Sequence, residues 1–342
     1  MQKHLSARSA ILALVLVMAI IGAREFYLRS KGYTPDFDDS AELWADKRAM
    51  VYEPANKATV FIGSSRIKYD MDIPTWESIT GNHAIQLAMV GSNPMPFLDD
   101  LANDPKFKGK LIVDVTEVLF FNPAPDVIIH PKAGIDHYRT RTPAQQVSFK
   151  FSYPLEHHLV FLNESQFSIK GMLNHLYIPD RPGVYPALVF PEGFEHNKFD
   201  RQNRMTDQFV ADTNLQNQVK AVWGRLMKEG AKHPPVSGKA LDGIIANVKA
   251  DIDKIKARGG QVIFTRTPSS GPFFMGESMG YPRKLYWDKL LAVTGCQGIY
   301  FKDYPAIANM QCPEFSHLKP TDAVIYTKNI INILQTEKGW KL

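Results

Sequence analysis

The chain has 342 residues, 44% of them hydrophobic and 22% charged, an ordinary globular composition with ample material for a large core. Its net charge of +5 and pI near 8.9 come without a dense Lys/Arg block interleaved with aromatic residues, so nucleic acid is not an expected partner. A mildly basic surface instead suits an anionic membrane face or an acidic polymer.

At the N-terminus, Lys3 and Arg8 precede an uncharged run from Ser9 to Ala23, followed by Arg24 and the aromatic pair Phe26-Tyr27. The run is short beside the roughly 17–25 residues of a transmembrane helix and fits a secretory signal or a signal-anchor. Ile21 stands where a cleavage site prefers a small residue, so residues 1–30 read as an uncleaved anchor helix. Basic residues on both flanks leave its orientation open. The two cysteines, Cys296 and Cys312, flank a short loop-rich segment. They are either a disulfide formed in an oxidising compartment or two unrelated buried thiols.

Residues 31–57 form a polar connector with a short helix around "SAELWADKRAMVYE". Strands are expected at Ala58–Ile62, Asn82–Met89 and Gly109–Phe121, the second followed by a helix through Leu98 and Leu101. The third run is almost continuously apolar, as in a strand buried on both faces. Residues 122–235, rich in Pro, His and aromatic residues, read as an insertion forming a cap or subdomain. Alternation then resumes. Leu241, Ile244, Ile245, Val248, Ile252 and Ile255 make one apolar helix face that Gly259-Gly260 end. A fourth strand follows at Gln261–Pro268, a helix closed by Gly295, a fifth strand at Gly298–Phe301, and a last helix starting at Pro320. The pattern predicts an α/β domain over 58–342, a parallel sheet with helices on both faces, whose ligands bind at the C-terminal strand ends.

Candidate chemistry sits at those ends. Gly63-Ser64-Ser65-Arg66 follows the first strand directly. A nucleophilic serine needs an exposed hydroxyl and a nearby base, and a preceding glycine lets the backbone turn sharply. "CPEFSHLKPTDAVIYT" precedes the last helix and places His317 three residues after Glu314. A base histidine must be held in one tautomer by an acceptor on its other nitrogen, which such a carboxylate supplies.

Together these blocks resemble the SGNH (GDSL-type) hydrolase superfamily, whose fold is a flavodoxin-like three-layer α/β/α sheet. Gly63-Ser64-Ser65 occupies the place of that family's Gly-Asp-Ser block, and Glu314-Phe315-Ser316-His317 that of its Asp-x-x-His block. The resemblance implies Ser65 as nucleophile, His317 as base and Glu314 as orienting acid. Gly91 fits the oxyanion glycine after the second strand. Thr116 stands where the family's third-block Asn is expected, and Asn93 is a substitute donor or a helix cap.

The "GSSR" variant, the anchor and "VIFTRTPSSG" are similar to membrane-tethered extracytoplasmic SGNH-like proteins of bacterial cell-surface polymer modification, such as alginate or cellulose acetylation and teichoic-acid D-alanylation. That similarity implies a single-pass inner-membrane protein with a periplasmic domain. It also implies acyl transfer to, or ester removal from, a surface polysaccharide, and a polytopic membrane-bound O-acyltransferase partner. The alternative is a non-catalytic accessory subunit of such a complex. Arg266 is expected either to face the substrate or to pair with a structural carboxylate. No cofactor is implied. His130, His137, His157, His158, His175 and His196 lack metal-ligand spacing, so no metal is expected. The segment "FSYPLEHHLVFLNESQFSIKGMLNHLY" reads as core packing or as a membrane or partner contact.

Overall fold

Short apolar strands that are buried on both faces must pair in register inside a layered core. In the computed structural model, which describes residues 2–174, 176 and 188–342, five do so. They are β1 (Ala58–Ile62), β2 (His83–Gln86), β3 (Lys110–Asp114), β6 (Gln261–Arg266) and β7 (Gln297–Tyr300). They form one sheet of order β2-β1-β3-β6-β7 in which every pairing is parallel. All residues of β1 and β3 are buried. The remaining strands, β4 (His196–Asn197) and β5 (Asn203–Arg204), make a small antiparallel ribbon.

The chain divides into two compact units, Met1–Asp38 with Thr142–Ala187, and Asp39–Arg141 with Leu188–Leu342. The second holds the whole sheet. Its helix Gly238–Ala257 buries Leu241, Ile245, Val248, Ile252 and Ile255, and Gly259 follows it at φ +88°. Helix Pro320–Thr336 buries Ala323, Tyr326, Ile330 and Leu334. In the first unit, helix Gln2–Ser30 contains a 24-residue stretch, Ala7–Ser30, long and apolar enough to cross a membrane, with an 18-residue window of mean hydropathy 2.1 inside it.

Two elements differ from the expected ones. The third strand stops at Asp114, and the apolar run continues as helix Glu117–Phe120 with Thr116 as its N-terminal flank. Phe120 and Phe121 are as buried as the strand, and a continuous apolar run does not tell a buried strand from a buried helix turn. Residues 122–235 are shared between the units. Helix Ile129–Thr140 packs on helix Ala41–Ala49 in the sheet unit, 142–187 go with the N-terminal helix, and 188–235 return to the sheet unit. Cys296 and Cys312 are both buried free thiols, the second of the two arrangements the sequence left open.

A buried ion triad anchors the helix that follows β1. Lys68, fully buried, donates to Asp39 Oδ2 at 2.7 Å, and Arg201 grips the same carboxylate through Nε (2.7 Å) and Nη2 (2.9 Å). Burial pushes the Asp39 pKa up, but Arg201 and Lys68 outweigh it and hold the group at about 2. A carboxylate held below its ordinary 3.8 stabilises the fold above about pH 4, and that contribution is lost as the pH falls toward 2. Asp39→Asn should therefore lower the unfolding free energy at pH 7 by ~2 kcal/mol or more. Urea titrations check this, and the variant's stability should fall less steeply than the wild type's between pH 4 and 2.

Candidate active site

Gly63 ends β1 because nothing larger fits. A Cβ there would lie 2.7 Å from Asp114 Cβ and 2.8 Å from Ile67 Cγ2. Helix Ser65–Asp70 then begins, with Ser64 as its N-terminal flank and Ser65 at the first helical position. Ser64 is buried while Ser65 is half-buried, so the two serines differ in access.

The loop before the last helix is folded around Glu314. Its Oε1 accepts the backbone N–H of Ser316 (3.2 Å), the backbone N–H of His317 and the Nδ1–H of His317 (3.0 Å). This tight return puts Phe315 at φ +83°, a left-handed conformation rare outside glycine. Several contacts hold that residue there. Phe315 N donates to Cys312 O (3.0 Å), its carbonyl accepts from Ser270 N (2.9 Å), and its ring lies where a side chain at Gly271 would clash. With Nδ1 donating to the carboxylate, the neutral ring presents Nε2 as an acceptor. That nitrogen lies 2.9 Å from Ser65 Oγ. The two segments, 252 residues apart in sequence, thus make one Ser–His–Glu chain.

Further bonds stitch the segments together. Leu318 N donates to Asp70 Oδ1 (2.9 Å), Thr327 Oγ1 accepts from Asp72 N (2.7 Å), and Arg66 Nε donates to Ser316 Oγ (3.3 Å). Burial pushes the Asp70 carboxyl well above its usual range. Beside Ser65, Arg66 pairs with Glu277, which also pairs with Arg266, and Arg266 pairs with Glu117 (3.1 Å). Burial raises the Glu277 pKa, but the two guanidinium groups pull it below the ordinary carboxylate range.

Residues from the 188–235 segment wall the histidine. Trp223, on helix Thr213–Gly230, donates its indole N–H to Glu314 Oε2. Its ring lies 6.1 Å from that of His317, with Tyr69 at 4.4 Å and Phe194 at 5.7 Å. Phe190, Phe194 and Phe209 pack with Tyr69 and Trp223 in one cluster. His317 is 1% exposed, so its ring is shielded from water on most sides.

The other expected site residues lie as follows. Arg266 is buried and bonded to Glu117, Glu277, Ser269 Oγ and Thr267 O, so the structure shows the carboxylate-paired alternative. Asn93 gives both amide bonds to Phe120 O (3.3 Å) and Asn122 O (2.7 Å), and its oxygen accepts from Met95 N at the start of helix Met95–Ala102. Its donors are therefore committed to the loop. Thr116 donates to Asp114 Oδ2 (3.0 Å). Gly91 is exposed at φ +60°, with open space where a side chain would go, so backbone conformation rather than packing calls for glycine. His175 lies outside the described residues. The sequence reading omitted Trp223, Tyr69 and Phe194, because nothing local marks an aromatic residue whose partner is 91 positions away.

No protein-family model matches the chain, and no curated protein matches it at a significant level.

Trp223→Phe keeps an aromatic ring, though a smaller one, but leaves Glu314 Oε2 without its donor. The unfolding free energy should drop by about 1–3 kcal/mol in urea titrations, with far-ultraviolet circular dichroism unchanged.

Proposed function

We propose that this is a membrane-anchored, SGNH-type serine acyl-ester enzyme acting outside the cytoplasm. The observation that carries the reading is the hydrogen-bonded chain from Ser65 Oγ through His317 to Glu314. Its support is threefold. The strand order 2-1-3-4-5 of the sheet is the flavodoxin-like order, and the two site segments follow its first strand and precede its last helix. The base histidine is oriented by a carboxylate three residues away. The N-terminal helix is long and apolar enough to tether the domain.

In the proposed reaction Ser65 Oγ attacks the carbonyl carbon of an acyl ester as His317 Nε2 takes the hydroxyl proton. The tetrahedral intermediate collapses, the C–O bond to the leaving alcohol breaks, and Nε2 hands that alcohol its proton. The acyl group is left on Ser65. An acceptor hydroxyl then loses its proton to Nε2 and attacks the acyl carbon, and the proton returns to Ser65 Oγ as the serine is released. Glu314 keeps Nδ1 protonated and stabilises the imidazolium that forms twice per cycle. A sugar hydroxyl as acceptor makes the enzyme a transferase, and water makes it an esterase. The anchor favours transfer to a surface polysaccharide beside a polytopic membrane O-acyltransferase that delivers the acyl group.

A second reading, a non-catalytic subunit of a polymer-modifying complex, draws on Asn93 and Thr116, whose side-chain donors are engaged elsewhere. One assay separates the two. With p-nitrophenyl acetate, Ser65→Ala and His317→Ala should each lose at least about a thousandfold in acyl release. Release that is equal in wild type and both variants would leave the non-catalytic subunit standing.

A further inference from the structure

The unit containing the N-terminal helix presents two sets of large apolar residues outward. Helix Pro143–His158 buries none of its residues. Val147, Phe151 and Leu155, spaced by four and therefore on one face, are 52%, 76% and 55% exposed. Phe149, Ser152, Tyr153 and Glu156, on the other side of the helix, are the half-buried ones. A helix at an ordinary protein–water boundary turns polar residues, not a row of large apolar ones, to the outside. The short helix Ile169–Asn174 repeats it, with Ile169, Met172 and Leu173 at 75%, 52% and 57%.

Both helices are tied to the C-terminal end of the N-terminal helix and, for the second, also to the residues just after it, through Tyr33, Asp36 and Asp38. Arg29 Nη2 donates to His158 O (2.8 Å), and Glu25 accepts from the backbone N–H of Val160 (3.0 Å) and Phe161 (3.3 Å). Arg24 lies over the Phe167 ring at 5.8 Å, two residues before the second helix. The uncharged run ends at Ala23. At about 1.5 Å per residue, Glu25 and Arg29 fall about 3 and 9 Å beyond it. The headgroup region of a bilayer extends roughly 5–8 Å past each edge of the hydrocarbon core. The C-terminal end of the first helix and the start of the second are thus attached near the C-terminal end of the membrane-crossing stretch, where acyl chain gives way to headgroup. Lys150 and His157, both exposed, flank the first face on one side, as suits anionic headgroups.

We propose that the faces of Val147–Phe151–Leu155 and Ile169–Met172–Leu173 lie in the bilayer surface as a second, in-plane membrane contact. This rests on the N-terminal helix being a membrane anchor and is independent of the Ser65 chemistry. The occupant is the lipid boundary, since the ties to residues 24–29 attach both helices beside the end of the membrane-crossing stretch.

The test uses the full-length chain in vesicles of phosphatidylethanolamine and phosphatidylglycerol. The native thiols are buried, so a cysteine introduced as Phe151→Cys, or separately as Leu155→Cys, takes an environment-sensitive fluorophore selectively. Val15→Cys is the reference inside the anchor, and its lipid quenching is read with lipids carrying the spin label deep in the acyl chain. The proposal expects labels at 151 and 155 to lose most of their emission to lipids carrying a spin label near the headgroup, and to resist aqueous iodide. It is overturned if Val15 is lipid-quenched while positions 151 and 155 are quenched by iodide alone. Shielding of 151 and 155 from both quenchers would also overturn it, since a protein surface, not lipid, would then cover the face. Absence of lipid quenching at Val15 itself would refute the anchor, and with it the in-plane contact.

Discussion

Glu314 accepts four hydrogen bonds at once, two from the backbone of its own loop, one from the His317 ring and one from Trp223. The carboxylate is fully buried, so each donor is worth more than it would be in water, and losing one would leave a buried acceptor unpaired. Those bonds force the left-handed turn at Phe315, fix the imidazole in one tautomer and aim Nε2 at Ser65. Loop conformation, ring orientation and serine contact therefore depend on one side chain, which also links the 188–235 segment to the sheet through Trp223.

The serine side is held by charge as well as by the apolar packing of Ile67 and Tyr69. Its helix is short, six residues, and such a helix has little stability of its own. Lys68 is fixed by Asp39, which Arg201 also holds, Arg66 by Glu277, and Asp70 by the backbone of Leu318. Buried ion pairs are weak contributors to net stability, because desolvation offsets much of their attraction, but breaking one strands a charge. Their effect here is positional. They permit one placement of Ser65 relative to His317 and penalise the alternatives.

Much of this was legible in the sequence because it is local. Ala58–Ile62 and Gln261–Arg266 are apolar runs bounded by glycine or by polar turns, and Glu314 and His317 are three residues apart on one loop. Ser65 was legible from its position after a glycine at a strand end. What was not legible depends on partners distant in the chain. Arg266 at a strand end fits a substrate contact as well as an ion pair until Glu117 and Glu277 are seen beside it. Asn93 fits an oxyanion donor until its amide is found on Phe120 and Asn122. The overlong third strand reflects one continuous apolar run crossing from β3 into a buried helix turn.

The central claim, that Ser65 is a nucleophile activated by His317, is tested most directly by intact-mass spectrometry after treatment with a fluorophosphonate, followed by peptide mapping. The account predicts a single adduct on Ser65 in the wild type and none in the Ser65→Ala or His317→Ala proteins. An adduct that persists in either variant, or a wild-type protein that stays unmodified under conditions that label a known serine esterase, would contradict it.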